Sequence, residues 1–97
     1  MSLRQLQTKF VWMLVELLLW GKEQGYEFTF GRFYTEGDPR LHGKRLAADL
    51  NLFINGVYQT GTEAHRPLGE KWESMGGSWG GRFQDGNHYS LAHGGMR

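Results

Sequence analysis

The sequence predicts a small α+β domain, and two patterns carry that prediction. Apolar residues recur at helical spacing from Leu3 to Leu17, whereas from Leu46 to Ile54 they alternate along the chain as in a strand. Helices and antiparallel strands in this order predict a small antiparallel sheet with flanking helices. With 97 residues, the chain predicts one domain spanning residues 1–97.

The first predicted element is a helix that begins after Ser2, whose side chain suits a helix cap, and ends at Gly21 or Gly25. Its buried stripe is predicted from i, i+3, i+4 spacing to contain Leu3, Leu6, Phe10, Met13, Leu14 and Leu17. Further apolar residues widen the stripe, so we expect the helix to be covered on more than one side: Val11, Trp12, Leu18 and Leu19.

The apolar run of this helix, Phe10 to Trp20, is about half of the ~20 residues that a transmembrane helix needs. The charged segment Gly21-Lys22-Glu23-Gln24 follows it, where a signal peptide has a small-residue cleavage site. We therefore expect a buried helix, no stable membrane insertion, no signal peptide and synthesis in the cytoplasm.

The remaining elements follow from alternation and turn residues. Tyr26 to Tyr34 predicts a first strand, and Leu46 to Ile54 predicts a second strand with Leu46, Ala48, Leu50, Leu52 and Ile54 on one face. The pair Asn55-Gly56 predicts a hairpin returning through Val57 to Thr60. A second helix is predicted from Pro67 to Gly76-Gly77, then a glycine-rich loop over 79–83 and a last strand from Asn87 to Leu91.

Composition excludes several classes of function. The absence of cysteine excludes a disulfide framework, thiolate zinc sites and a cysteine nucleophile. Eleven basic against ten acidic side chains leave a net charge of +1, so we expect no nucleic-acid partner. A compact hydrolytic site built without cysteine would use histidine and carboxylate side chains around a metal ion, and four residues of this chain invite that test.

His42 and Asp49 are the first candidate ligands, seven positions apart. Seven residues span ~23 Å when extended and ~10.5 Å in a helix, so both side chains reach one ion only if the chain reverses between them. Gly43 is a position where a reversal can begin. An acid in an otherwise apolar or amide-bearing strand is costly unless it is bound or paired, and the alternative is an ion pair with Arg45 or Arg82.

His88 is the candidate third ligand, and Asp85 precedes it by three positions. Three protein ligands plus water are the usual arrangement of catalytic Zn²⁺, and a carboxylate beside the open position can act as general base. His42, Asp49 and His88 as ligands with Asp85 as base form a complete hydrolytic site. The alternative is that Asp85 caps a turn and the spacings are accidental.

Other conspicuous side chains have simpler interpretations. We expect His65 to face solvent before Pro67. His93 is an alternative ligand by its spacing of five from His88, but we expect the Gly94-Gly95 end that follows it to be mobile. Trp72, Trp79 and Phe83 are expected in the core rather than on a substrate platform.

Two segments resemble motifs of peptidase family M15, the zinc peptidases. The segment from Leu41 to Phe53 resembles S-x-H-x-x-G/R-x-A-x-D, and Trp79-Gly80-Gly81-Arg82-Phe83 with Asp85 and His88 resembles W-G-G-x-F…D/E-x-x-H. The resemblance runs from about Tyr26 to Leu91 and is nearer to phage L-alanyl-D-glutamate endopeptidases than to D-alanyl-D-alanine carboxypeptidases. It implies zinc on His42, Asp49 and His88, Asp85 as catalytic acid/base, and the small α+β fold shared with the hedgehog signalling domain.

The chain departs from the family pattern where relatives carry a Tyr-Arg pair that holds substrate, because Thr35 follows Tyr34. Arg40 replaces the usual serine two residues before the first ligand, and the preceding stretch is shorter. We expect Arg40 to polarise the scissile carbonyl and Arg32, with Tyr89, to bind substrate.

The resemblance implies an endopeptidase that cuts peptidoglycan stem peptides at L-Ala–D-Glu, acting at the bacterial cell wall after release. The alternatives are a D,D-carboxypeptidase, a non-catalytic zinc-binding or wall-binding relative, and a homo-oligomer assembled through the broad apolar face of the first helix.

Overall fold

The computed structural model describes residues 1–97 as two helices and a five-stranded antiparallel sheet. The helices are α1 (Leu3–Glu23) and α2 (Arg66–Ser74), and the strands are β1 (Tyr26–Phe30), β2 (Ala47–Ile54), β3 (Val57–Tyr58), β4 (Ser78–Trp79) and β5 (His88–Ser90). Strand order is β1-β2-β5-β4, and β3 also pairs with β2. The predicted α+β class is confirmed in this form. No helix has the length and apolar character needed to cross a membrane.

Helix α1 begins where the sequence predicts. Ser2 accepts a hydrogen bond from the backbone N–H of Gln5, and the Gln5 side chain accepts one from the backbone N–H of Ser2, which is a capping box. The helix continues through Gly21 and ends at Glu23, followed by Gln24 as the cap and Gly25 at φ +87°.

The core lies between one face of α1, one face of the sheet and α2. Leu46, just before β2, and Ala48, Leu50 and Leu52 are fully buried, whereas Ile54 at the end of the strand is half-buried, so the predicted inner face is confirmed up to Leu52. Phe10 of α1 meets Trp72 of α2 edge to face, with ring centroids 5.7 Å apart. Fifteen buried residues form this single core: Phe10, Met13, Leu14, Leu17, Leu41, Leu46, Ala47, Ala48, Leu50, Leu52, Leu68, Trp72, Trp79, Tyr89 and Leu91.

The expectation that α1 is covered on more than one side is wrong for the single chain. Trp12 is 68% exposed, and Val11, Val15 and Leu19 are exposed beside it. A 97-residue domain has only one sheet and one short helix to pack against α1, so a second apolar face on that helix remains uncovered.

Several strand boundaries differ from the predictions. β1 ends at Phe30 rather than Tyr34, although Gly31 and Arg32 still exchange backbone hydrogen bonds with Asp49 of β2 at 2.8 and 2.7 Å. β3 ends at Tyr58 rather than Thr60, and β5 covers only the middle of the predicted strand. The short lengths reflect pairing with different segments of one long strand, β2.

The glycine-rich segment 79–83 is not a loop. Ser78–Trp79 forms β4 against β5, and Gly80–Phe83 forms a single 3₁₀ turn. Trp79 donates its indole N–H to the carbonyl of Gly86 at 2.8 Å, and its ring is buried. This anchor fixes the segment that leads to the candidate site.

Candidate metal centre

The three predicted ligands converge at one end of the sheet. His42, Asp49 and His88 each place one potential ligand atom within 4.8 Å of the others. Asp49 of β2 and His88 of β5 are direct register partners, so their side chains leave the same face of the sheet. His42 reaches this face from the turn that precedes β2.

That turn supplies the chain reversal that the spacing requires. The backbone N–H of Lys44 bonds to the carbonyls of Arg40 and Leu41, and the N–H of Leu46 returns to Leu41 at 3.0 Å. The left-handed residue is Arg45, at φ +57°, rather than Gly43. Gly43 is needed for a different reason: a Cβ at this position would collide with the backbone carbonyl of Asp38.

A second close approach positions His88. A Cβ on Gly80 would overlap the carbonyl oxygen of Asp85 and lie 2.7 Å from the Cβ of His88. The backbone N–H of Asp85 bonds to the carbonyl of Gly80 at 2.8 Å, which closes the loop 80–85. Asp85 and His88 therefore depend on glycine at position 80.

The distances fit a bound metal ion. Asp49 Oδ1 lies 3.3 Å from His42 Nε2 and 3.4 Å from His88 Nδ1. Ligand atoms bound tetrahedrally at ~2.1 Å lie about 3.4 Å from one another. Asp49 Oδ1 is buried without any hydrogen-bond partner, although a buried carboxylate oxygen normally accepts one. Two imidazole nitrogens and one carboxylate oxygen are a donor set that suits Zn²⁺.

The outer nitrogens of both histidines, His42 Nδ1 and His88 Nε2, are buried without a hydrogen-bond partner. Metal-bound histidines usually donate this second N–H to a carbonyl or carboxylate, which holds the ring in place. Here the rings are in contact with other rings instead. The centroids of the two imidazoles lie 5.3 Å apart in an edge-to-face arrangement, and the Phe83 and His88 centroids lie 5.8 Å apart.

The alternative ion pairs for Asp49 are absent. Arg82 instead makes a two-pronged pair with Glu73 at 2.7 and 2.8 Å, and Arg45 stacks over the ring of Tyr34 at 4.0 Å. The only basic side chains within 4.0 Å of the Asp49 carboxylate are those of the two histidines.

Asp85 lies beside this cluster without joining it. Its Oδ2 is 4.0 Å from His88 Nδ1, and its side chain is 52% exposed. The carboxylate is therefore free to meet a ligand in the adjoining cavity. A second acid buried within the cluster would instead be expected as a fourth ligand.

The cluster opens into a cavity of about 650 Å³. Arg32 and Arg40, both predicted to meet substrate, line it together with Asp85. Phe83 also lines it and is 38% exposed, so the expectation of a core position is wrong for this ring, whereas Trp72 and Trp79 are core residues as predicted. The complete lining is Arg32, Asp38, Arg40, Leu41, His42, Asp49, Phe83, Asp85, His88, Met96 and Arg97.

Tyr89 is not placed to bind substrate in this cavity. It is fully buried, because alternation along β5 turns it into the core while its neighbour His88 faces the cavity. Its ring packs edge to face on Trp72, with centroids 6.2 Å apart.

The prediction that His65 faces solvent is wrong. It is 3% exposed, and its Nδ1 lies 2.8 Å from the hydroxyl of Tyr89. The 3₁₀ turn Thr62–His65 carries the ring inward, where the Tyr89 hydroxyl needs a partner. Burial lowers the pKa of His65 to about 4 and raises that of Tyr89. The two side chains therefore form a hydrogen bond between neutral groups, on the core side of β5.

The sequence reasoning missed the contribution of the last residues to the cavity. His93 pairs with Met96 across a turn at Gly94 and Gly95, so it lies outside the ligand group and is not the rival ligand. The turn brings Met96 and Arg97 back to the cavity wall. The sequence signal for this chain reversal was the pair Gly94-Gly95, because two consecutive glycines are typical of a tight turn.

Comparison of the chain with protein-family models, with curated proteins and with solved structures found no match.

Proposed function

We propose that this protein is a zinc-dependent peptidase that cleaves peptidoglycan stem peptides at the L-Ala–D-Glu bond. The observation that carries the proposal is the unpartnered oxygen of Asp49, which lies 3.3–3.4 Å from His42 and His88 beside an open cavity. The resemblance of the segments at 41–53 and 79–88 to zinc peptidase motifs supplies the substrate class. We extend the proposal to the hedgehog-like peptidase fold, with which an antiparallel sheet and two helices are compatible.

The roles of the side chains follow from their positions. Zinc, when bound, would lower the pKa of a coordinated water to ~7 and polarise the scissile carbonyl. His42, Asp49 and His88 hold the ion. Asp85 accepts a proton at its carboxylate and returns it to the leaving amine, since its side chain is exposed 4.0 Å from His88. Arg40 lines the cavity and stabilises the developing charge on the carbonyl oxygen.

Metal content is the first test. Protein purified without added metal should contain about one zinc per chain, and His88→Ala should lose it. The matched control is His93→Ala, because His93 lies outside the ligand group. No zinc in the unaltered protein, even after reconstitution, would contradict the proposal.

Product analysis then tests the reaction. Digestion of purified peptidoglycan should release new D-Glu amino termini, identified by mass spectrometry. Release of D-Ala alone would identify the D,D-carboxypeptidase alternative, and bound protein on intact wall would identify a non-catalytic relative. Asp85→Asn should lower turnover by about 10²-fold or more while zinc is retained. Asp38→Asn is the control, because it removes another cavity carboxylate but keeps an oxygen for the N–H of Arg40.

We further propose that two copies associate through the exposed face of α1, since four apolar side chains there are uncovered: Val11, Trp12, Val15 and Leu19. Charge complementarity favours a second copy as the partner. An antiparallel pair with its axis between Trp12 and Val15 sets Arg4 of one helix opposite Glu23 of the other.

Light scattering tests the association. The unaltered chain should show twice its mass of 11.2 kDa, and Trp12→Gln should show a single chain. Tyr58→Gln is the control, because Tyr58 is also an exposed aromatic, 50% against 68% for Trp12, and lies on β3 rather than on α1. A single-chain mass for the unaltered protein at high concentration would exclude the pairing.

A further inference from the structure

The cavity beside the metal centre holds three arginines that have no acidic partner. Arg32, Arg40 and Arg97 line it, and none of them takes part in an ion pair. Of the four arginines elsewhere, Arg66 and Arg82 each make a two-pronged pair with a glutamate, whereas Arg4 and Arg45 make no ion pair. Three of the five arginines without an acidic partner therefore lie at the cavity.

Arg97 is held in a defined place. His93 and Met96 exchange backbone hydrogen bonds at 3.1 and 3.0 Å across Gly94 and Gly95, whose φ angles are +57° and +79°. Positive φ at both central residues defines a tight turn of the type that favours glycine. The turn directs the following residue back over the cavity.

An aromatic contact completes the placement. The guanidinium carbon of Arg97 lies 4.9 Å from the ring centroid of Phe83, and the Phe83 ring contacts His88. A guanidinium stacked on an aromatic face keeps its N–H groups free to donate in the plane of the stack. One side of the metal centre therefore presents a positive, planar group.

The charge of the cavity favours an anion. Three carboxylates also line it, those of Asp38, Asp49 and Asp85, so the lining arginines and aspartates balance in charge while no ion is bound. A divalent ion on the ligands would leave the cavity positively charged. Guanidinium groups bind carboxylates through paired, charge-assisted hydrogen bonds, and three of them line this cavity.

We propose that Arg97, held over Phe83, forms with Arg32 a subsite for a carboxylate of the peptide substrate, so that the protein selects ionised over amidated peptides. The identity of the peptide rests on the proposed function. Two carboxylates of a stem peptide have this chemistry: the α-carboxylate of D-Glu and the carboxylate at the end of the peptide.

Binding to the zinc-loaded Asp85→Asn protein tests the subsite without turnover. The probes are the tetrapeptide L-Ala–γ-D-Glu–L-Lys–D-Ala and two copies of it, one amidated at the D-Glu α-carboxylate and one at the terminus. One amide should weaken binding by about tenfold, since a hydrogen bond to a charged group contributes ~1.5–3 kcal/mol. Whichever amide binds more weakly identifies the carboxylate.

Adding Arg97→Ala should remove that tenfold difference, whereas Arg97→Lys should retain part of it because the charge remains. Lys71→Ala, which removes a positive charge from α2 outside the cavity lining, should leave the difference unchanged. Equal binding of all three peptides, binding of none, or an undiminished difference in Arg97→Ala would each overturn the subsite.

Turnover of the unamidated peptide by the protein with Asp85 intact is measured separately. Carboxylate-dependent binding without cleavage upholds the subsite and removes the peptidase function. Cleavage of peptides that bind without dependence on a carboxylate upholds the peptidase function and removes the subsite.

Discussion

Asp49 and His88 face each other as register partners across β2 and β5, although they are 39 positions apart in the chain. The backbone ladder fixes this pair before any ion binds, and the turn at 40–45 adds His42. A site assembled in this way should bind metal with little rearrangement, so metal binding should stabilise the folded protein.

Zinc should therefore raise the free energy of unfolding. Free zinc at 100 times its dissociation constant should add about 2.7 kcal/mol, measured by denaturant unfolding with and without chelator. Asp49→Asn should abolish this increment. Without metal, the Asp49→Asn protein should be no less stable than the unaltered chain, because a neutral amide replaces a carboxylate whose buried oxygen has no hydrogen-bond partner. A zinc increment that survives in Asp49→Asn would contradict the assigned ligand set.

Gly80→Ala should disrupt the metal centre from outside the ligand group. The added Cβ would overlap the carbonyl of Asp85 and press on His88, so zinc affinity should fall by more than about tenfold and stability by ~2 kcal/mol. Zinc titration and urea unfolding measure the two effects. Gly61→Ala is the matched control, because an added Cβ there meets no atom within 4 Å. Equal zinc affinity in both variants would refute the positioning role of Gly80.

His65 should make stability depend on pH. Its pKa is about 4 in the folded protein because of burial, and ~6.5 in the unfolded chain, so the unfolded state binds the extra proton between these values. The contribution of the buried, neutral His65 ring to the free energy of unfolding is complete above pH 6.5 and is lost as the pH falls to 4. We expect a loss of about 2 kcal/mol, less than the full shift implies because the ring also borders a small polar cavity.

Urea unfolding of the unaltered protein and His65→Gln at pH 7 and pH 4.5 measures this dependence. The difference in stability between the two proteins should narrow at the lower pH. His93→Gln, which alters a histidine outside the core, should follow the unaltered protein at both pH values. A constant difference across the range would show that the burial of His65 does not govern its titration.

Tyr89→Phe should separate stability from substrate binding. Removing the hydroxyl leaves Nδ1 of buried His65 without its 2.8 Å partner, which should cost about 1–2 kcal/mol in unfolding free energy. KM for a stem peptide should not change, because the Tyr89 side chain is fully buried. A raised KM with unchanged stability would restore the role of Tyr89 in binding substrate.

Local patterns in the sequence were sufficient for the elements themselves. The Ser2 cap, the alternation from Leu46 to Leu52 and the Asn55-Gly56 turn each act over a few residues, so their outcomes depend little on the rest of the chain. The members of the candidate metal cluster were also predictable, because the histidine and acid spacings and the motif resemblance are properties of the sequence alone.

Only the tertiary structure decided which neighbours complete each environment. His65 and Tyr89 meet across 24 positions, and Arg97 reaches Phe83 through a turn whose direction no spacing specifies. Long-range packing also explains the uncovered face of α1, because an apolar face is buried only where another element of the fold packs against it. Periodicity determines which side of an element is apolar, whereas long-range packing determines what covers that side and which charges are left for a ligand.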